Sequence, residues 1–244
     1  MTDELLVDRR GPVTRLTLNR PAKLNALNAA LADQLLAAIS VATGDGTRLL
    51  VVEGAGRGFS GGFDLAGLDQ ESDGDLALRF VRLELLLAAV RHAPFATLAL
   101  VHGPCFGAAA DLVACCMHRI AAPDAHFRMP GLRFGVVLGT RRLAALIGSD
   151  AARDLLATSK VLPADEAKRI GLVREVLDPS LWPERVAALA AEASALPAAS
   201  QQALLRVTIP DTRDADLAEL ARAVAVPGLK SRIAAYLAKP AKAT

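Results

Sequence analysis

The amino-acid sequence predicts an α/β fold, and three observations carry that prediction. Short apolar runs bounded by turn residues read as strands: VTRLTL at 13–18, RLLVVE at 48–53 and the stretch from Pro94 to Val101. Longer segments with helical spacing lie between them, so that strand–strand–helix units recur loosely without a strict repeat. After Pro179 the chain becomes alanine-rich and helical in character, which divides it into an α/β core over 1–180 and a helical region over 181–244.

Taken in order, Val13 to Leu18 alternates apolar and polar and predicts a half-buried strand that Asn19-Arg20-Pro21 ends. A loop from Ala22 to Leu27 leads to Asn28, an N-cap type of residue. Leu31, Leu35, Leu36 and Ile39 follow at helical spacing. Thr43 to Gly46 is a turn and Arg48 to Glu53 a buried strand. Gln70 to Asp75 is polar, and Leu76 to Val90 is helical as far as Arg91-His92-Ala93-Pro94. Ile120 to Ala122, His126-Phe127 and Leu172 to Val176 read as short strands. Arg141 to Ile147, Ala151 to Thr158 and Ala164 to Ile170 read as short helices. Trp182 to Leu196, Asp214 to Val224 and Gly228 to Leu237 form the terminal helices.

Composition narrows the function classes. Apolar residues make up 52% of the 244 residues, enough for a sizeable core. The net charge of +2, with acids and bases interspersed, argues against a nucleic-acid surface. The three cysteines, Cys105, Cys115 and Cys116, include a vicinal pair and do not make a disulfide framework. A reducing, cytoplasmic compartment is expected. The charged start MTDELLVDRR is no signal peptide. The longest apolar region, Pro94 to Cys116, is broken by His102, Asp111, prolines and glycines, and so reads as core rather than a membrane span.

Two motifs in GAGRGFSGGFDL compete for attention. Gly56 to Gly61 matches the dinucleotide pattern G-x-G-x-x-G, which needs an amphipathic helix directly after it. The acidic, glycine-containing stretch 62–75 does not supply one. Gly58 to Gly62 matches the nucleophile elbow G-x-S-x-G, but the preceding strand ends near Glu53, several residues early. A serine hydrolase built on Ser60 stays as an outside option, with His92, His102, His118 and His126 downstream. The simpler reading of the glycines is a tight loop that lets backbone approach a ligand closely.

The chain is organised around Val101 to Gly131. A buried strand feeds the turn His102-Gly103-Pro104-Cys105-Phe106-Gly107, and a small apolar helix starts near Ala108. The first N–H groups of that helix lack intrahelical partners and carry the positive end of its dipole, a good place to hold an oxyanion. Asp111 lies one turn in, on the same face as Ala108. A carboxylate there is costly unless it caps backbone or faces a substrate.

HGPCFGAAADLVACCMHRIAAPDAHF resembles the signature of the crotonase (enoyl-CoA hydratase/isomerase) superfamily, and four further blocks agree in order: NRPAKLNALN at 19–28, GFSGGFDL at 58–65, GTRRLAALIG at 139–148 and ADEAKRIGLVREVL at 164–177. The resemblance covers roughly residues 5–180. It implies a spiral of strand–strand–helix units over 1–180, with 181–244 packing on neighbouring subunits in a homotrimer or a dimer of trimers; the plainer alternative is that these helices complete the core. It also implies a coenzyme A thioester as substrate, with no separate cofactor, no metal, no nucleic-acid partner and no membrane span. The N–H groups of Phe63 and Ala108 would hold the thioester oxygen. Ala22, Lys23, Asn25 and Ala26 would run along the CoA moiety. Ser60, Gly62 and Leu65 would form the opposite side of that groove, beside Phe106 and Gly107. Asp64 would hold the loop.

The sequence departs from the family where proton transfer is done. The first of the family's two glutamates falls on Asp111, one methylene shorter, and the second falls on Gly131, which has no side chain. A missing methylene withdraws the carboxyl by more than about 1 Å, enough to cost roughly 100-fold. The loop before GTRRL is also short. His126, Arg128 and Arg133 are candidates for a replacement role. Three expectations result: an enoyl-CoA hydratase of weak or altered activity, another crotonase chemistry such as isomerisation or decarboxylation from one carboxylate, or an acyl-CoA binder without turnover.

Overall fold

The computed structural model describes residues 3–238. Among the described residues its main sheet has six strands, in the spatial order β1 (Leu5–Arg10), β2 (Val13–Leu18), β3 (Leu49–Gly54), β4 (Ala96–Val101), β6 (His118–Ala121) and β9 (Glu175–Val176). β1 (Leu5–Arg10) was not legible in the sequence. It pairs antiparallel with β2 (Val13–Leu18) from Leu5↔Leu18 to Arg10↔Val13. Only Leu5 of this edge strand is buried, so its side chains show no alternation to read. Asp8, Arg9 and Arg10 put charge on the edge, which discourages pairing with another chain.

α1 (Ala29–Gly44) is capped by Asn28, whose side chain accepts from Leu31 N–H at 2.7 Å. β3 (Leu49–Gly54) runs parallel to β2, and α2 (Asp73–Arg91) starts earlier than its apolar spacing indicates. Ser72 and Asp75 form a reciprocal capping box that draws Asp73, Gly74 and Asp75, read as connection, into the helix. β4 (Ala96–Val101) is parallel to β3 and buried throughout. Its Ala99 and Val101 face one core with Leu50 and Val52, and Leu98 and Leu100 face a second with Leu49 and Val51. Burial on both faces is why these strands read as continuous apolar runs.

β5 (Pro104–Phe106) follows within the turn, then α3 (Ala108–Cys115) and β6 (His118–Ala121), parallel to β4. β7 (His126–Arg128) joins β5 and the later β8 (Leu162–Pro163) in a small three-stranded sheet. Residues 131–134 form a 3-10 turn. α4 (Thr140–Ile147), α5 (Ser149–Thr158) and α6 (Ala164–Arg169) follow, and then β9 (Glu175–Val176), shorter than the strand expected from Leu172.

Four helices complete the described chain: α7 (Trp182–Ala195), α8 (Ala198–Thr208), α9 (Arg213–Ala225) and α10 (Leu229–Leu237). α7 covers the second core with Val186, Leu189, Ala190 and Ala193. The terminal helices were expected to turn towards a neighbouring subunit. α9 and α10 place Leu220, Val224, Leu229 and Ile233 in this chain's own main core, beside α2, which is the alternative of completing the core. The start of α10 is anchored by Asp73, whose carboxylate accepts from the N–H groups of Gly228, Leu229 and Lys230 at 2.9, 3.1 and 2.8 Å. α8, absent from the sequence reading, leaves Leu204 and Val207 exposed. No helix among the described residues is long and apolar enough to cross a membrane.

Candidate active site

Two loops are sewn together by backbone hydrogen bonds. Ser60 N–H donates to Pro104 O at 3.2 Å, and Phe106 N–H donates to Ser60 O at 3.0 Å. Gly62, at φ +84°, lies so close to the second loop that a β-carbon would sit 2.2 Å from Phe106 O and 3.3 Å from Ala108 N. Only glycine allows that approach. The peptide entering Phe63 is therefore held against the peptide entering Ala108. Neither the Phe63 N–H nor the Ala108 N–H has a hydrogen-bond acceptor among the described residues. Ala108 opens α3 without a positive φ, so its methyl group costs no strain. The turn's sharp residue is Gly107, at φ +52°.

Side chains fix these loops from behind. Asn25 is fully buried, and its amide donates to the carbonyls of Ala55, Gly58 and Phe59 at 2.8, 3.0 and 3.1 Å. Ser60 is fully buried as well. Its hydroxyl donates to Asn25 O at 2.7 Å and accepts from Gly62 N–H at 3.1 Å. The side chains of Asn25 and Ser60, read from sequence as lining a CoA groove, thus brace the two loops and present no surface to a ligand. A committed hydroxyl with no exposure also removes Ser60 as a nucleophile. The dinucleotide reading fails because the next α-helix after Gly61 is α2, at Asp73. Asp64 is structural: it pairs with Arg20 at 2.8 Å and accepts from Ala66 N–H at 2.9 Å. The Phe63 ring stacks on Phe80 at 4.2 Å, with the Arg79 guanidinium over its other side.

Ahead of the two N–H groups lies a cavity of about 90 Å³. Phe63, Leu65, Gly107, Ala108, Asp111 and Gly131 line it, and Phe134, Leu138 and Tyr236 close it. Tyr236 comes from α10, so the terminal helix of the same chain supplies part of this wall. Ala22 and Lys23 are exposed on a 3-10 turn, and Ala26 is half-buried beyond it. Phe106 packs its ring edge-on to His126.

Among the described residues, Asp111 is the one carboxyl group lining this cavity. It is 5% exposed, and its Oδ1 has no hydrogen-bond partner. Burial pushes its pKa well above the usual carboxylate range; the Arg142 charge opposes this and the Glu84 charge adds to it. Its position depends on Gly139, a residue the sequence reading missed. A β-carbon at Gly139 would lie 2.4 Å from Asp111 Oδ1, and Gly139 sits at φ +65°. The glycine ahead of TRRL is thus the floor against which the carboxyl rests, at the N-terminus of α4.

A buried ion cluster, also missed, stands behind Asp111. Arg142 makes a two-pronged bond to Glu84 and pairs with Asp216 at 3.1 Å. Gly131 leaves the second carboxylate position without a side chain; a β-carbon there would meet only Val136 O, at 3.1 Å. The replacement candidates do not fill it. Arg128 and Arg133 donate to the carbonyls of Ser159 and Thr158, and the His126 ring lies beside Asp124 O. None of the three lines the cavity.

The family profile for enoyl-CoA hydratase/isomerase matches residues 8–221. The chain belongs to the enoyl-CoA hydratase/isomerase family. A crystal structure from Bordetella parapertussis, assigned as an enoyl-CoA hydratase/isomerase, is 47% identical, with a TM-score of 0.97 over 98% of this chain and 100% of that one. A Mycobacterium leprae protein assigned as an enoyl-CoA hydratase is 33% identical over 73% of this chain and 74% of its own length. A crotonyl-CoA hydratase from Syntrophomonas wolfei is 32% identical over 75% of this chain and 72% of its own. Membership in this crotonase family bears out the expected fold and the broad reading as an acyl-CoA enzyme.

Proposed function

We propose that the chain hydrates short 2-enoyl-CoA thioesters, more slowly than an enzyme with two carboxylates. The observation that carries this reading is the pair of uncommitted N–H groups, Phe63 and Ala108, held side by side at the mouth of a cavity with a single carboxyl group among the described residues. Those donors would grip the thioester oxygen as negative charge develops on it. Asp111, once ionised, takes a proton from water as the water oxygen bonds to the β-carbon. The double-bond electrons move onto the thioester oxygen, and the enolate collapses as the α-carbon receives the proton from Asp111. One group does both jobs, and burial, which raises its pKa, disfavours the ionised form that begins the reaction. A missing acid or base of this kind is worth roughly 10²–10⁴-fold.

Acyl length is set by room. An apolar cavity of roughly 150 Å³ takes a benzene ring, so about 90 Å³ holds about four heavy atoms. That favours crotonyl over long acyl groups. The CoA portion would leave past Ala22, Lys23 and Ala26, where Lys23 can meet a phosphate. The lone carboxyl also favours a second reading: isomerisation of a 3-enoyl-CoA, in which Asp111 removes one proton and returns it two carbons away without water. The exposed Leu204 and Val207 on α8 support assembly into a trimer or a dimer of trimers through that helix. Crotonyl-CoA hydration and 3-enoyl-CoA isomerisation, measured side by side, decide between the two reactions. Absence of both in the presence of tight acyl-CoA binding would make the chain a binder instead.

A further inference from the structure

We infer that this chain carries a second binding site, for a small organic oxyanion with an apolar body, at the far end of α3 from the acyl cavity. A cavity of about 270 Å³ opens there, between the C-terminal ends of α2 and α3 and the start of β4. Arg91, Arg119 and Arg174 line it, with Phe95, Leu146 and Ile209 among its apolar walls. It shares no lining residue with the acyl cavity.

The arrangement of Arg119 is the central fact. This guanidinium is 4% exposed and is fixed by backbone alone. Its Nε donates to Leu172 O at 2.8 Å, and its Nη1 donates to Cys116 O and Met117 O at 2.7 and 3.1 Å. Nη2 has no acceptor among the described residues, and it is not among the sealed, unpartnered polar atoms. One edge of a rigid fork is therefore left open. No carboxylate among the described residues pairs with Arg91, Arg119 or Arg174. Burial, and then the charges of Arg174 and Arg91, lower the pKa of Arg119 to about 10.

A plainer account has the arginines as helix C-terminal caps. It explains Arg119 on the last carbonyls after α3, and Arg91 in the last turn of α2. It leaves unexplained why a third cation joins them around an apolar-walled space. Arg232, also fixed by backbone carbonyls alone, stands by itself, whereas here three guanidiniums share one space; other half-buried or buried arginines such as Arg79, Arg142 and Arg185 are paired with Glu71, Glu84 and Glu175. Guanidinium forks match carboxylate and phosphate oxygens, and a net of three positive charges suits a dianion. The volume exceeds the roughly 150 Å³ that accommodates benzene in an apolar cavity, so an anionic head and an aromatic-sized body fit together.

Calorimetric melting with phenyl phosphate, inorganic phosphate and sodium chloride, matched in ionic strength, tests the site. Phenyl phosphate should raise Tm in a saturable way, inorganic phosphate less, and chloride not at all. Arg174→Gln alters an exposed side chain and leaves the Arg119 cradle intact. It should weaken phenyl phosphate at least tenfold. Without ligand at low salt it should melt above wild type, because a like charge is gone; with saturating phenyl phosphate it should melt below. That reversal of sign is what a capping role does not produce. Arg91→Gln combined with Arg174→Gln should abolish the ligand-dependent shift. The inference is overturned if phenyl phosphate does no more than chloride, or if Arg174→Gln destabilises equally with and without ligand. It is also overturned if saturating crotonyl-CoA displaces phenyl phosphate, which would assign the cavity to the phosphates of CoA. Sedimentation without ligand completes the test: loss of assembled mass in Arg174→Gln would show a second copy of the chain filling the cavity.

Discussion

Gly139→Ala isolates the contact on which the proposed chemistry depends. The new β-carbon would arrive 2.4 Å from Asp111 Oδ1, 2.7 Å from Cγ and 2.9 Å from Cβ, contacts that no packed structure tolerates. The residue must also hold φ +65°, which costs a non-glycine residue roughly 1–2 kcal/mol. Overpacking adds about 1–3 kcal/mol if Asp111 stays in place, for a total of about 2–5 kcal/mol. If Asp111 swings aside instead, the stability loss shrinks towards the backbone cost, and crotonyl-CoA hydration falls roughly 10²–10⁴-fold. Urea melts and initial rates on the same samples read both quantities. Asp111→Ala in the Gly139→Ala background removes the contacts with Oδ1 and Cγ. It should recover about 1–2 kcal/mol relative to the sum of the single changes. The reasoning is refuted if Gly139→Ala keeps wild-type stability within about 0.5 kcal/mol and also keeps the wild-type rate.

Further outcomes follow from the same contacts. Asp111→Asn removes an acid whose folded pKa lies above its unfolded value near 3.8. The folded state loses stability as pH rises from about that value towards the folded pKa. The variant should therefore gain Tm over wild type progressively as pH rises above about 4, with no gain at pH 3. For the same reason the wild-type hydration rate should climb with pH beyond pH 5 instead of levelling there, as a pH–rate profile will read. Arg142→Met strands Glu84 and Asp216 at burials of 97% and 93% of their side chains; a loss of about 3–5 kcal/mol in urea melts is expected. Tyr236→Ala lengthens the acyl cavity and should raise kcat/KM for hexenoyl-CoA relative to crotonyl-CoA by roughly tenfold. Light scattering of the full chain at micromolar concentration should give a multiple of three times 25.5 kDa.

How far the site could be read from sequence depends on where each signal lies. The two loops that hold Phe63 and Ala108 side by side were legible because the turn glycines Gly62 and Gly107 mark backbone that approaches other backbone closely. Asp111 was legible as the one charge in an apolar helix. Asn25 and Ser60 show the limit: nothing local indicates that their side chains turn into the loops and bond backbone there. Arg142 and Glu84 lie 58 residues apart, and neither segment signals the other. Gly139 appeared only as part of a short loop, because its importance lies in a through-space contact with Asp111. β1 escaped because an edge strand exposed on both faces lacks periodicity. α9 and α10 read as helices, but amphipathicity alone does not say which core an apolar face will join.

The proposed catalytic role of the two backbone donors is tested most directly by a crystal structure with a bound, unreactive acyl-CoA. The thioester oxygen should lie about 2.7–3.1 Å from both Phe63 N and Ala108 N, with the β-carbon facing Asp111. A thioester oxygen held by other groups, or an acyl chain lying outside the cavity that Asp111 lines, would contradict the account.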